Sequence, residues 1–153
     1  KPRLILCTHL HWDHVHGCAE LVKRHEAEVW ASERDGYLQE EGASRFTVPG
    51  FSFTPIGPGR REVLGTQLMV LDTPGHTPGG LSYYFPRQGW LFTGDTIFHR
   101  NVGRTDLPGG DEEVLMESIR NRIFILPHEV EIYPGHGQMT TVGEEMASNP
   151  FFA

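Results

Sequence analysis

A chain of 153 residues, 38% of them hydrophobic, has the length of one domain and enough apolar side chains for one sizeable core. Its 13 Lys and Arg stand against 20 Asp and Glu, and the net charge of -7, with the basic residues scattered, excludes a nucleic-acid or anionic-membrane binder. No apolar run reaches the roughly 18 residues of a membrane span, and two cysteines, Cys7 and Cys18, are too few for a disulfide framework and too widely spaced for Cys-x-x-Cys, which indicates a reducing, cytoplasmic setting.

Short apolar runs alternate with helical patterns. Residues 3-7 (RLILC) read as a buried strand, 18-26 as a helix, 27-32 as a strand and 33-42 as a short helix closed by Gly42. Residues 43-62, rich in Pro and Gly, read as an irregular connection that walls a site. Strands follow at 66-73, 81-85 and 90-95, joined by Gly/Pro-rich turns, so this half is antiparallel or mixed. Residues 111-126 carry Val114, Leu115, Ile119, Ile123 and Leu126 at helical spacing, with acids in the first turn favouring the helix dipole. A last strand at 130-135 precedes a helix over 140-149, capped by Thr140 or Thr141. This is an α/β layered domain, with no internal repeat or linker.

Chemistry concentrates in THLHWDH, residues 8-14. Side chains two apart on extended backbone point the same way, so His9 and His11 can bind one cation together, while Asp13 and His14 continue in the loop and can face a second position. Imidazoles beside a carboxylate, without thiolates, suit Zn, Fe or Mn. Chance assembly of His-x-His-x-Asp-His is on the order of one in a thousand for a chain of this composition.

Three further segments end a strand at a Gly-flanked ligand type: LDTPGHTPGG with His76, LFTGDTIF with Asp95 and IYPGHGQ with His136. Glycine beside a ligand allows close backbone approach and sharp turns. Seven groups in all would supply three side chains to each of two metals, with Asp95 left to bridge them.

These segments, with GRTDLPGG (103-110) and YPGHGQMTTVGEE, resemble the metallo-β-lactamase superfamily, and within it the hydroxyacylglutathione hydrolase (glyoxalase II)-like branch of short single-domain members. The resemblance covers essentially the whole chain as one domain, 1-153. It implies an αββα sandwich, in which His9, His11 and His76 hold one divalent metal, Asp13, His14 and His136 hold the other, and Asp95 bridges. Zinc is the expected metal, with iron or manganese as alternatives. The implied reaction is attack of a metal-bridging hydroxide on a thioester or ester carbonyl, with S-lactoylglutathione-type thioesters as the small-molecule substrate. Asp13 is placed to move the proton as well as to ligate, and Cys7 is read as core.

Arg104 is either an anion contact for substrate or the partner of Asp106 in a fixed loop. His99 is read as a surface loop histidine, and His16, His25 and His128 as structural. One of Tyr83 and Tyr84 is expected buried and the other exposed. Members of this family normally carry several strands before the His-rich loop, whereas only Lys1 to Cys7 precede it here. An incomplete first sheet is therefore expected, with self-association through its open edge. Competing readings are a mononuclear-iron persulfide dioxygenase using His9, His76 and Asp95, a lactonase, and a non-catalytic metal-binding remnant. Antibiotic hydrolysis is disfavoured, because β-lactamase relatives place other groups where Asp95 stands.

Overall fold

The apolar run at the start of the chain pairs as soon as it can. In the computed structural model, which describes residues 1-40, 42, 43, 46 and 50-152, β1 (Leu4–Leu6) lies parallel to β2 (Glu28–Ala31) with Leu4 opposite Glu28 and Leu6 opposite Trp30. The crossover contains α1 (Trp12–Val15) and α2 (Cys18–His25). Asp13 and His14, expected in a loop, occupy the single turn of α1, where His14 N donates to His11 O (3.0 Å). The short helix expected over 33-42 and closed by Gly42 is a 3₁₀ helix that ends earlier (Glu33–Gln39), capped by Ser32, whose side chain accepts from Arg34 N.

The Pro/Gly-rich stretch is only partly irregular. It contains β3 (Thr54–Pro55), parallel to β2, and β4 (Gly59–Val63), antiparallel to β5 (Thr66–Asp72). β4 alternates exposed Arg60 and Glu62 with half-buried neighbours, so it is an edge strand whose polar side chains and flanking Pro and Gly hide the period of two. Residues 41, 44, 45 and 47-49 of this region lie outside the described set.

β6 (Leu81–Phe85), β7 (Trp90–Gly94) and β10 (Glu131–Pro134) follow the sequence pattern closely, whereas the small hairpin of β8 (Ile97–Phe98) and β9 (Asn101–Val102) was not expected, and β11 (Thr140–Thr141) takes the first two residues of the stretch read as helix. The second sheet has the order β11-β10-β7-β6-β5-β4 and is mixed, since β10 runs parallel to β7 while the other pairs are antiparallel. α3 (Glu112–Ser118) starts at Asp111, which accepts from Val114 N (3.1 Å), and gives way to a π-helical turn over Ile119–Ile123 instead of continuing as α-helix to 126. The wider turn, closed by Phe124 N to Ile119 O, leaves Ile119 and Ile123 both buried. α4 (Val142–Ser148) is capped by Thr141, because Thr140 belongs to β11 and turns its hydroxyl to Glu145.

Three apolar clusters fill three interlayer spaces. Cys7, Leu10, Val15, Cys18, Val29 and Leu38 lie between the first sheet and its helices; here the Sγ atoms of Cys7 and Cys18 are 4.0 Å apart. Leu68, Val70, Leu81 and Tyr83 lie between the sheets, with Leu6 and Ile56 packed on them. Leu91, Leu115, Ile119, Ile123, Ile132 and Val142 lie between the second sheet and α3 and α4. The result is the αββα sandwich that the resemblance implied. Tyr83 is the buried tyrosine, donating to Cys7 O (2.8 Å), while Tyr84 is half-buried against the α3 side. No described helix is long and apolar enough to cross a membrane.

Candidate metal centre

All seven candidate ligands converge at one end of the sandwich, where the strands stop. Asp95 directly follows β7 and His136 follows β10 two residues on, while His76 sits in the turn between β5 and β6. Gly94 precedes Asp95 with φ +52, a left-handed conformation that glycine adopts without strain, and a side chain there would strike Thr8. At Gly135 a Cβ would meet Asp95 and come within 2.7 Å of His14 Cε1, so only glycine lets this strand end close onto the cluster.

His9, His11 and His76 form one group of ligand atoms within 4.8 Å of one another, and Asp13, His14 and His136 form another. In the first group His11 Nδ1 lies 2.9 Å from His76 Nε2. In the second, Asp13 Oδ2 lies 3.5 Å from His14 Nε2 and 3.3 Å from His136 Nε2. Asp95 stands between them: Oδ1 faces His14 Nε2 at 3.4 Å, and Oδ2 faces His76 Nε2 at 3.6 Å and His136 Nε2 at 3.5 Å.

Electrostatics prepares the groups for coordination. Burial, reinforced by His14, His76 and His11, holds His9 well below the usual histidine range, and burial followed by His76 pushes His11 down to about 4. Both imidazoles are therefore neutral at pH 7, with lone pairs available. Burial pushes Asp95 up, but its close charge contact with His14 (3.4 Å), joined by His76 and His136, more than offsets this and holds it below the ordinary carboxylate range. His14 is raised in turn, because Asp95 and Asp13 outweigh its desolvation.

The donor set fits divalent cations. His9 Nε2, His14 Nε2 and Asp95 Oδ1 are buried without a hydrogen-bond partner among the described residues; such orphaned atoms are costly unless a ligand satisfies them. Outer contacts fix the rings. His9 Nδ1 contacts Thr8 Oγ1 (3.1 Å), and His76 Nδ1 lies 2.7 Å from Arg104 O, so that His76 presents Nε2 to the cluster.

Several contributors escape a reading of the sequence. Asp35 is fully buried and accepts from Leu10 N (3.3 Å), Thr77 Oγ1 (2.8 Å) and Gly79 N (2.6 Å), joining the segment that carries His9 and His11 to the one that carries His76. In ERDGYLQ it looks like any surface acid. The guanidinium of Arg104 makes a two-pronged pair with Asp106 (2.6 and 2.7 Å), while its backbone carbonyl supports His76. His99, expected on the surface, lines the cavity instead. That cavity, about 1100 Å³, opens over the ligands and is walled by Trp12, Phe46, Phe98, Val102 and Leu107 among others. Trp12 and Phe46 meet with tilted rings, centroids 4.4 Å apart, so the 43-62 stretch does contribute a wall.

An αββα sandwich with a histidine-aspartate cluster at its strand ends, supplied by strand-end turns and the single turn of α1, has the architecture of a metal-dependent enzyme. The chain belongs to the metallo-beta-lactamase superfamily, whose family model matches residues 1–136, and its fold carries divalent-metal binding and hydrolase chemistry. It is 38% identical to a hydroxyacylglutathione hydrolase, GloC, of Haemophilus influenzae, over 97% of this chain and 75% of that protein. Among solved structures it resembles the di-iron-bound form of TTHA1623 (38% identity, TM-score 0.90, 99% of this chain and 78% of that one). It also resembles the B3 metallo-beta-lactamase BLEG-1 (34% identity, TM-score 0.90, 99% and 77%).

Proposed function

We propose that this chain is a dinuclear metal-dependent thioester hydrolase of the hydroxyacylglutathione type. The observation that carries the reading is the position of Asp95, whose two oxygens face His14, His76 and His136 and so touch both ligand groups. His9, His11 and His76 would hold one cation, Asp13, His14 and His136 the other, and Asp95 both; zinc is the first candidate, iron or manganese the alternatives. Two divalent cations held by these residues would supply an activated water at neutral pH and an electrophile for the acyl oxygen.

The protein's own residues do the rest. The aromatic and aliphatic wall excludes bulk water and seats the acyl chain. Asp13, exposed at the cavity and beside His136, is the residue able to accept the proton released as water attacks and to return it to the products. Tight packing at Gly94 and Gly135 holds the carboxylate of Asp95 in place. The similarity to the Haemophilus influenzae hydrolase supports the thioester as substrate. The assembled Asp13, His14 and His136 group speaks against the one-iron dioxygenase reading, which needs only His9, His76 and Asp95.

Metal analysis combined with a thioester and ester panel tests this. Two equivalents of divalent metal and hydrolysis of S-lactoylglutathione are expected. Asp95→Ala should lower the metal content and reduce kcat/KM by at least about a thousandfold, or roughly 4 kcal/mol of transition-state stabilisation. Full thioesterase activity in metal-stripped protein would end the proposal. Oxygen uptake with glutathione persulfide would replace it by the dioxygenase, preferential turnover of a lactone or of a β-lactam would replace the substrate class, and metal binding without turnover would leave the non-catalytic reading.

A further inference from the structure

One side chain in the cavity is built in but has no part in the chemistry above. His99 lies in the turn between β8 and β9, four residues after Asp95, and the turn is clamped from below by α4. The clamp is Glu145, which is fully buried. Its Oε2 accepts from the backbone N of Arg100 (2.9 Å) and from Asn149 Nδ2 (2.8 Å), and its Oε1 accepts from Thr140 Oγ1 (2.6 Å). His99 Nδ1 sits 3.5 Å from the same Oε1 and is itself buried without a hydrogen-bond partner among the described residues.

A charge on a buried carboxylate held only by neutral donors is costly unless an opposite one stands beside it. Arg100 does not serve: its guanidinium turns outward to Glu144 Oε1 (3.4 Å) and Ser148 O (3.4 Å). The one group capable of positive charge within ion-pair distance of Glu145, among the described residues, is His99. With Nδ1 directed down at Glu145, the exposed remainder of the ring lines the cavity. An imidazolium at this position would donate from both nitrogens, one to Glu145 and the other to whatever fills the cavity.

The rest of the wall contrasts with this. Beyond the ligands it is largely aromatic and aliphatic, and the other cationic side chain lining it, Arg104, already spends its guanidinium on Asp106. We propose that His99, anchored by Glu145, is a specificity-determining residue that receives a carboxylate of the substrate remote from the scissile carbonyl, as on the thiol half of a glutathione thioester. The assignment rests on the thioester-hydrolase reading for its substrate and deepens it.

The test compares a glutathione thioester with the N-acetylcysteamine thioester of the same acyl group, which lacks any carboxylate. In the metal-loaded protein, His99→Leu and the size-conserving His99→Gln should each reduce the ratio of kcat/KM for the first over the second about tenfold, through KM for the glutathione thioester. Charge-assisted hydrogen bonds of this kind are worth enough for such a change. An unchanged ratio overturns the assignment. Calorimetric binding of glutathione itself gives a readout independent of turnover: the wild type should bind about tenfold more tightly than His99→Leu. Equal affinities, or no binding by the wild type, overturn the proposal as well. If the wild type binds glutathione in this His99-dependent way but cleaves no thioester, the hydrolase reading fails while the His99 contact stands.

Discussion

At the scale of single residues, the centre depends on imidazoles that stay neutral because they are enclosed. His11 is pushed down to about 4, first by burial and then by His76, whereas a histidine in the unfolded chain titrates near 6.5. As pH falls, the unfolded chain takes up this proton before the folded one does, so the folded state loses stability. In metal-free protein the stabilisation is fully present above about pH 6.5 and declines as pH drops through that value towards about 4. Thermal midpoints of metal-free protein between pH 7.5 and 4 should therefore fall, and by less in His11→Asn. A midpoint unchanged across that range in both proteins would contradict this account of the site.

At the scale of elements, the two ligand groups are brought together by loops that have little secondary structure of their own, so something must tie the loops. Asp35, presented by the 3₁₀ helix, performs that task with three accepted hydrogen bonds from two different segments. Burial pushes its carboxyl above the usual range, and the Thr77, Gly79 and Leu10 donors offset only part of that. Asp35→Ala would leave two buried N–H groups and a hydroxyl without an acceptor, at roughly 1–3 kcal/mol for each group that water does not reach. A total loss of about 3 kcal/mol is expected in urea denaturation of metal-free protein. Metal affinity, read by competition with a chromophoric chelator, should drop about 10–100-fold, as for other changes behind a ligand. Affinity equal to wild type would show that the loops hold their spacing without it.

At the scale of the whole molecule, the two sheets are unequal. Among the described residues the first has three strands and the second has six, so these leave part of the second sheet's inner face uncovered. Phe92 pairs in register with Tyr83, and Trp90 with Phe85, which places all four on the inter-sheet face. Yet only Tyr83 is buried there, while Trp90 and Phe92 are 41% and 38% exposed. Phe92 stacks on Tyr133 at 5.2 Å and meets Phe85 at 5.9 Å, forming an aromatic stripe. β1 is also an edge strand with a free side. An apolar stripe beside an unpaired edge favours association, so this chain should self-associate through that region. Sedimentation velocity should show a concentration-dependent dimer that Phe92→Lys weakens; a monomer at all concentrations would contradict it.

Much of this architecture is legible in the order of residues alone, for a physical reason. Strands such as 81-85 and 90-95 announce themselves by composition and turn residues, and the candidate metal ligands are legible jointly: His9, His11, Asp13 and His14 as one cluster, and His76, Asp95 and His136 as ligand types beside glycine at strand ends that gain weight only together with it. Local pattern fails where polar side chains mask an edge strand, as at β4, and where a helix changes its winding, as at Ile119–Ile123. What the chain's order of residues determined was the inventory of candidate ligands and the layers that carry it. Only the tertiary structure decided which buried acids serve that inventory. Asp35 meets Leu10 across 25 positions and Gly79 across 44, and Glu145 meets the turn at Arg100 across 45; contacts between such distant segments leave no periodic trace, and a buried carboxylate is told from a solvated one only by what folds around it.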